Sequence, residues 1–291
     1  MFTIFALLTG VLNAVTVLQN GQMAAFYGDY SASVFIHLVG LATVLCVFAF
    51  MRRGMQPKEH AAPWMYLGGV VGVGTVVFIS FAYSGVSVTA ITGLGLLGQT
   101  IASLIVDRFG LLGSQKVPFR KEKLIGTAAV LAGSLTMILP FKGVNVLAAL
   151  AALASGFTIV TARTMNARLA ERQGAMRSTV MNYVTGLVTS IVFLLVLGMK
   201  EPMITDFRFS SNWFMYLGGA LGVCLIMLLN VTVSRISALS MTLLQFTGQI
   251  GTSYLLDILL QNGVSWQTLA GGLLVTIGLV INTIAENKKN A

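Results

Sequence analysis

The sequence predicts an all-α integral membrane protein: ten transmembrane helices arranged as two inverted five-helix repeats, with both termini in the cytoplasm. Three observations predict it. First, of 291 residues, 56% are hydrophobic and only 9% charged, whereas a soluble domain carries roughly a quarter charged residues. Second, the apolar residues gather into ten runs of the length that a helix needs to cross the hydrocarbon core, about 20 residues. Third, the second half of the chain repeats the first with its loop charges exchanged. With a mean hydropathy of +0.86, most of the chain has lipid as its solvent. In lipid each backbone N–H and C=O must be bonded within its own segment, so the runs are helices.

The first run, near 2–20, lacks the basic stretch and cleavage site of a secretory leader and reads as a spanning helix. It carries Asn13 and closes on Asn20. The second, near 31–51, encloses His37. The third, near 64–83, opens on Trp64 and Tyr66, residues that anchor helices at the membrane interface. In the fourth, near 87–106, Gly93, Gly95 and Gly98 fit G-x-G-x-x-G. A dinucleotide site would need a strand before that motif; inside a spanning helix, small residues let neighbouring helices approach closely. The fifth run lies near 124–140.

The sixth, near 146–165, has Arg163 at its cytoplasmic end and Asn166 just beyond. The arginine is placed to snorkel toward the interface or to meet an anionic group. The seventh, near 179–198, carries Tyr183, and the eighth, near 213–233, runs from Trp213 to Asn230 and beyond. Asn230-Val231-Thr232 fits the glycosylation pattern, but its depth in a span excludes modification. The ninth and tenth lie near 238–258 and 267–284. Cys46 and Cys224 both fall within apolar runs and read as small packing residues, not a disulfide pair.

Counted on alternate sides of these spans, fifteen of the eighteen Lys and Arg fall on one side. Only Lys142, Lys200 and Arg208 fall on the other. Cytoplasmic loops hold the excess of basic residues, which places both termini inside. The net charge of +9 is accounted for in the same way, and nucleic acid is not an expected partner.

The halves, 1–141 and 142–291, match block by block. Gly10, Asn20, Gly28 and Gly40 return as Gly156, Asn166, Gly174 and Gly186. Tyr66-Leu67-Gly68-Gly69 returns as Tyr216-Leu217-Gly218-Gly219. Gly98-Gln99, Ser103 and Asp107 return as Gly248-Gln249, Ser253 and Asp257. Gly126 and Gly133 return as Gly271 and Gly278. Five spans is an odd number, so the second half enters the membrane the other way up. Loop charge agrees: the first loop of half one has no Lys or Arg, and its counterpart, 163–178, has four. Inverted repeats are a hallmark of secondary transporters.

Gln99, Ser103 and Asp107 lie four residues apart and share one helical face, as do Gln249, Ser253 and Asp257. In one reading the glutamines line a solute path and the aspartates act at two gates or capture cations. In the other the glutamines join helices and the aspartates are solvated at the interface. Asn20 and Asn166 either cap their helices or touch the solute; Asn13 and Asn230 need polar partners in lipid. His37, with Tyr183 at the matching position, is a candidate for proton coupling or for hydrogen-bonded packing. No metal-ligand cluster, cofactor motif or catalytic signature is present in the sequence, so an enzyme is not expected.

These residues resemble the YdcZ-like branch of the drug/metabolite transporter superfamily. The likeness is carried by Asn20, Trp64, Gly68, Gly69, Gly98, Gln99, Ser103, Asp107 and Gly110 in half one. In half two it is carried by Asn166, Leu169, Gly218, Gly219, Gly248, Gln249, Ser253 and Asp257. Half two departs after Asp257, where Ile258-Leu259-Leu260 replaces Phe109-Gly110-Leu111. The resemblance implies two fused five-helix units in a bacterial inner membrane, and a central cavity lined by the first four helices of each half. It also implies export by alternating access, and fifth helices that serve as peripheral packing or dimer elements, so a homodimer is among the expected partners. A small-molecule carrier is the expected function; a passive channel and a non-transporting scaffold are the alternatives.

Overall fold

The computed structural model describes residues 1–51, 59–83, 88–117, 124–136, 145–259 and 266–287. Every regular element among them is helical. In chain order these are α1 (Phe2–Tyr27), α2 (Asp29–Met51), α3 (Gly68–Tyr83), α4 (Val88–Phe109), α5 (Leu124–Thr136), α6 (Val146–Gln173), α7 (Ala175–Leu197), the single turn α8 (Pro202–Thr205), α9 (Gly218–Thr232), α10 (Ala238–Leu259) and α11 (Trp266–Asn287). Among the described residues, five helices are long and apolar enough to cross a membrane: Phe2–Tyr27, Asp29–Phe50, Val146–Gln173, Ala175–Leu197 and Trp213–Thr232.

Two helices outrun their expected ends. α1 continues past Asn20 to Tyr27, and α6 continues past Asn166 to Gln173. Hydropathy falls at Gln19-Asn20-Gly21-Gln22, but the fall does not break the helix: Gln19 donates to Phe214 O and Gln22 accepts from Asn212. Both helices stop at a glycine in the left-handed region, Gly28 (φ 99°) and Gly174 (φ 92°), a conformation that only glycine adopts at little cost. Asn20 and Asn166 therefore sit two turns inside their helices and do not cap them. The third and eighth spans, expected as uninterrupted helices, each begin with a 3-10 turn, Pro63–Leu67 and Trp213–Leu217.

Hydroxyls within the helices are satisfied locally. Thr16, Thr100, Ser134 and Thr232 each donate to the carbonyl four residues earlier, at 2.7–2.9 Å. This lets serine and threonine lie in apolar helices without an orphaned donor.

The chain divides into two compact units, and each draws on both sequence halves. Unit 1 comprises Met1–Val11, Val77–Val160 and Ile236–Ala291; unit 2 comprises Leu12–Val76 and Thr161–Arg235. Unit 1 thus holds α4, α5, α10 and α11 with the starts of α1 and α6. Unit 2 holds α2, α7 and α9 with the ends of α1 and α6.

Within unit 1 the helices meet at glycines. A Cβ on Gly10 would collide with the Gln245 carbonyl, and one on Gly156 with the Gly95 carbonyl. A Cβ on Gly133 would lie 2.6 Å from Gly271 O, and one on Gly278 would meet Gly126 O. Without a hydrophobic drive between helices in lipid, such close backbone approach is what holds them together. Unit 2 has a core of Val44, Val180, Tyr183 and Val223, and a second cluster of Met23, Tyr27, Ala32 and Met215.

Candidate functional site

The expected site residues fall into two groups, one in each unit. In unit 1, α4 carries Gln99, Ser103 and Asp107, and α10 carries Gln249 and Ser253. Gln99 and Gln249 are half-buried at equivalent crossings: a Cβ on Gly156 would abut Gln99 N, and one on Gly10 would lie 2.7 Å from Gln249 N. Ser103 Oγ is 2.7 Å from Thr242 Oγ1, both fully buried, and joins α4 to α10. Ser253 is half-buried. Asp257 belongs to α10, but its side chain lies outside the described residues.

Asp107 has a role that neither sequence reading contained. It is 7% exposed, and its carboxylate accepts from Ala238 N at 2.8 Å and Leu239 N at 2.9 Å. Those are the first two residues of α10. The first N–H groups of a helix have no intrahelical partner, and the helix dipole favours a negative charge there. A carboxylate from α4 therefore caps α10.

In unit 2 the structure brings together His37 and Tyr183, the two matching positions of the repeat. Their rings meet edge to face with centroids 5.9 Å apart. Each ring also packs on the other's neighbouring glycine, Tyr183 on Gly40 and His37 on Gly186. His37 Nδ1 is 2.7 Å from Ser33 O, which makes it the protonated nitrogen, and Ser190 Oγ lies 3.2 Å from it. Ser33 Oγ and Ser190 Oγ are 2.7 Å apart and close the cluster between α2 and α7. Tyr183 is 2% exposed and donates to Gly219 O at 3.2 Å.

Asn20 and Asn166 occupy equivalent crossings. Asn20 Oδ1 packs on Gly218 and Asn166 Oδ1 on Gly68. Asn166 Nδ2 donates to Asn182 Oδ1 at 2.7 Å. In half one the residue matching Asn182 is Ile36, and Asn20 Oδ1 is buried without a hydrogen-bond partner among the described residues. Its neighbour Gln19 is fully buried; Nε2 donates to Phe214 O at 3.0 Å and Oε1 has no donor among the described residues. The carbonyl facing Nε2 fixes that amide's orientation. Asn230 is 2% exposed and donates to Thr179 Oγ1 at 3.2 Å. Arg163 is 5% exposed on α6, buried where a snorkelling side chain would reach water, and Asn13 is half-buried on α1.

Several residues here were not singled out in the sequence. Glu201, in the connection after α7, caps α2 by accepting from Tyr30 N (2.9 Å), Ser31 N (2.7 Å) and Ser31 Oγ (2.5 Å). Gln19, Ser33, Asn182 and Ser190 were also missed. Their signal was weak, because single polar residues in apolar runs have no motif. Among the described residues, no group of His, Cys, Asp and Glu is disposed to hold a metal ion.

Apolar helices that bury their amides and hydroxyls against one another define a helical membrane protein. The chain belongs to the family described as "Putative inner membrane exporter, YdcZ", which it matches twice, over residues 1–136 and 147–281. That is a family of membrane exporters and not of enzymes. The fold is also similar to a solved structure described only as "Crystal structure of protein", with a TM-score of 0.72 at 17% identity, covering 100% of this chain and 98% of that one. A comparison with curated proteins finds no match.

Proposed function

We propose that the protein is a secondary transporter that exports a small polar metabolite or drug by alternating access. Its two five-helix halves, 1–141 and 142–291, stand inverted to one another with both termini cytoplasmic. The observation that carries this reading is the reciprocity of the contacts inside each unit. Asn20 meets Gly218 as Asn166 meets Gly68; Gly40 meets Tyr183 as Gly186 meets His37; Gly10 meets Gln249 as Gly156 meets Gln99. Every partner is exchanged for its repeat equivalent. A chain built this way can exchange the conformations of its halves and so present one site to either face. The twofold family match and the excess of basic residues on one side support the same reading.

Gln99, Gln249, Asn20 and Asn166 are the proposed solute contacts. Gln19 Oε1 and Asn20 Oδ1 are acceptors without donors among the described residues, which favours a solute that carries N–H or O–H groups. The test is reconstitution in liposomes. A panel of amines, amino acids and drugs is first screened by thermal shift, since a ligand of the folded state raises its apparent stability. Hits are then assayed for counterflow. Saturable trans-stimulation is expected; flux without it would identify a channel and overturn the carrier.

A further inference from the structure

The repeat makes Tyr27 and Gln173 equivalent, each the last helical residue before a glycine of positive φ. It makes Tyr66 and Tyr216 equivalent as well, one in each 3-10 turn. In unit 2 these four residues pair crosswise. Tyr27 Oη lies 2.6 Å from Tyr216 Oη. Gln173 Nε2 donates to Tyr66 Oη. Each half ties the end of its first helix to the tyrosine that opens the third span of the other half.

We propose that these two contacts are latches on the transport path, one for each membrane face, and that an end admits solute only when its latch opens. The proposal rests on the carrier reading above. In the proposed orientation the Tyr27 latch lies toward the outer face and the Gln173 latch toward the cytoplasm. Each latch sits seven residues, about 10 Å along the helix axis, beyond the asparagine proposed to contact solute. The same contact, made twice by equivalent residues at opposite ends, is what a pair of inverted gates requires. A neutral hydrogen bond shifts an equilibrium by roughly two- to tenfold, which is enough bias for a gate that must reopen in every cycle. The settings of the two differ. Tyr27 is 1% exposed and packs with its ring tilted against Phe35, with centroids 4.8 Å apart. Tyr216 Oη also accepts from Ser210 N at 3.1 Å. Beside Gln173 is the exposed ion pair of Arg172 with Glu59.

Ala24 and Ala170 are equivalent positions one turn inside the two latches, and serve as reporters. The full chain carries Ala24→Cys or Ala170→Cys, with Cys46 and Cys224 replaced by alanine, and is labelled in liposomes with a membrane-impermeant maleimide. Tyr216→Phe should raise the labelling rate at position 24 roughly two- to tenfold and leave position 170 unchanged. Tyr66→Phe should do the reverse. Tyr27→Phe removes the latch bond alone and must also raise labelling at position 24, and adding it to Tyr216→Phe must add nothing, because Tyr216→Phe already removes that bond together with the one from Ser210 N. A rise at both reporters together would mean a loosened fold, and no rise at either would mean no latch; both overturn the proposal. Counterflow in the same liposomes separates the two claims. Counterflow without selective labelling removes the latches, whereas selective labelling without counterflow leaves two face-specific gates and removes the carrier.

Discussion

At Asp107 a single carboxylate replaces two hydrogen bonds that α10 cannot make for itself. Loss of a capping group costs about 1 kcal/mol, up to about 2. Asp107→Ala should therefore lower the unfolding temperature in detergent, and Asp107→Asn should lower it less, because the amide keeps an acceptor but loses the charge. Equal stability of all three proteins would show that the cap contributes nothing. Glycine supplies a sharper residue-scale contrast. A Cβ on Gly156 would meet the Gly95 carbonyl, while one on Gly21 or Gly74 would meet nothing within 4 Å. Gly156→Ala should destabilise by about 1–3 kcal/mol through overpacking. Gly21→Ala and Gly74→Ala should be neutral, or stabilise by up to about 1 kcal/mol through better helix propensity. Thermal unfolding of the three variants decides it. In the sequence, only Gly156 of these three has a glycine at its repeat equivalent, Gly10.

At the scale of the element, helix ends were the hardest feature to read. Hydropathy marks where lipid-facing residues stop. It does not mark where the helix stops, because a polar residue remains helical if its side chain finds a partner. That is why α1 and α6 run on to Gly28 and Gly174. The stop signal was the glycine itself, legible in the repeat as a matched pair. The start of α2 depends on a partner far away in sequence. Glu201 satisfies its first free amides from 170 residues away. Hydrogen bonds to a charged group contribute about 1.5–3 kcal/mol. Glu201→Ala should speed hydrogen exchange at Tyr30 and Ser31 by at least roughly tenfold, with the centre of α2 unaffected. Unchanged exchange at those two amides would exclude the cap.

For the whole molecule, the glutamine pair is the decisive test of function. Gln99→Ala and Gln249→Ala should each reduce transport several-fold with no loss of folded protein, measured as uptake per correctly folded carrier. Transport at the original rate in both variants would remove the glutamines from the path. Orientation is tested separately. Cysteines placed within 115–123 and 259–266 should be labelled from opposite sides of the membrane; labelling from one side would end the inverted arrangement.

Composition, periodic apolar runs and the internal repeat were enough to predict a helical membrane protein, and motif residues such as Gly98, Gln99, Ser103 and Asp107 carried the resemblance to the exporter family. These signals are one-dimensional: transfer into lipid depends on each segment's own residues, and duplication leaves equal spacing. The partners of the polar residues were settled only by tertiary structure. That Asp107 caps α10, that His37 rests on Gly186, and that Asn166 has Asn182 while Asn20 has no such partner all depend on which helices touch. A hydrogen bond in lipid is set by a few ångströms between segments far apart in the chain, and no local pattern encodes that distance.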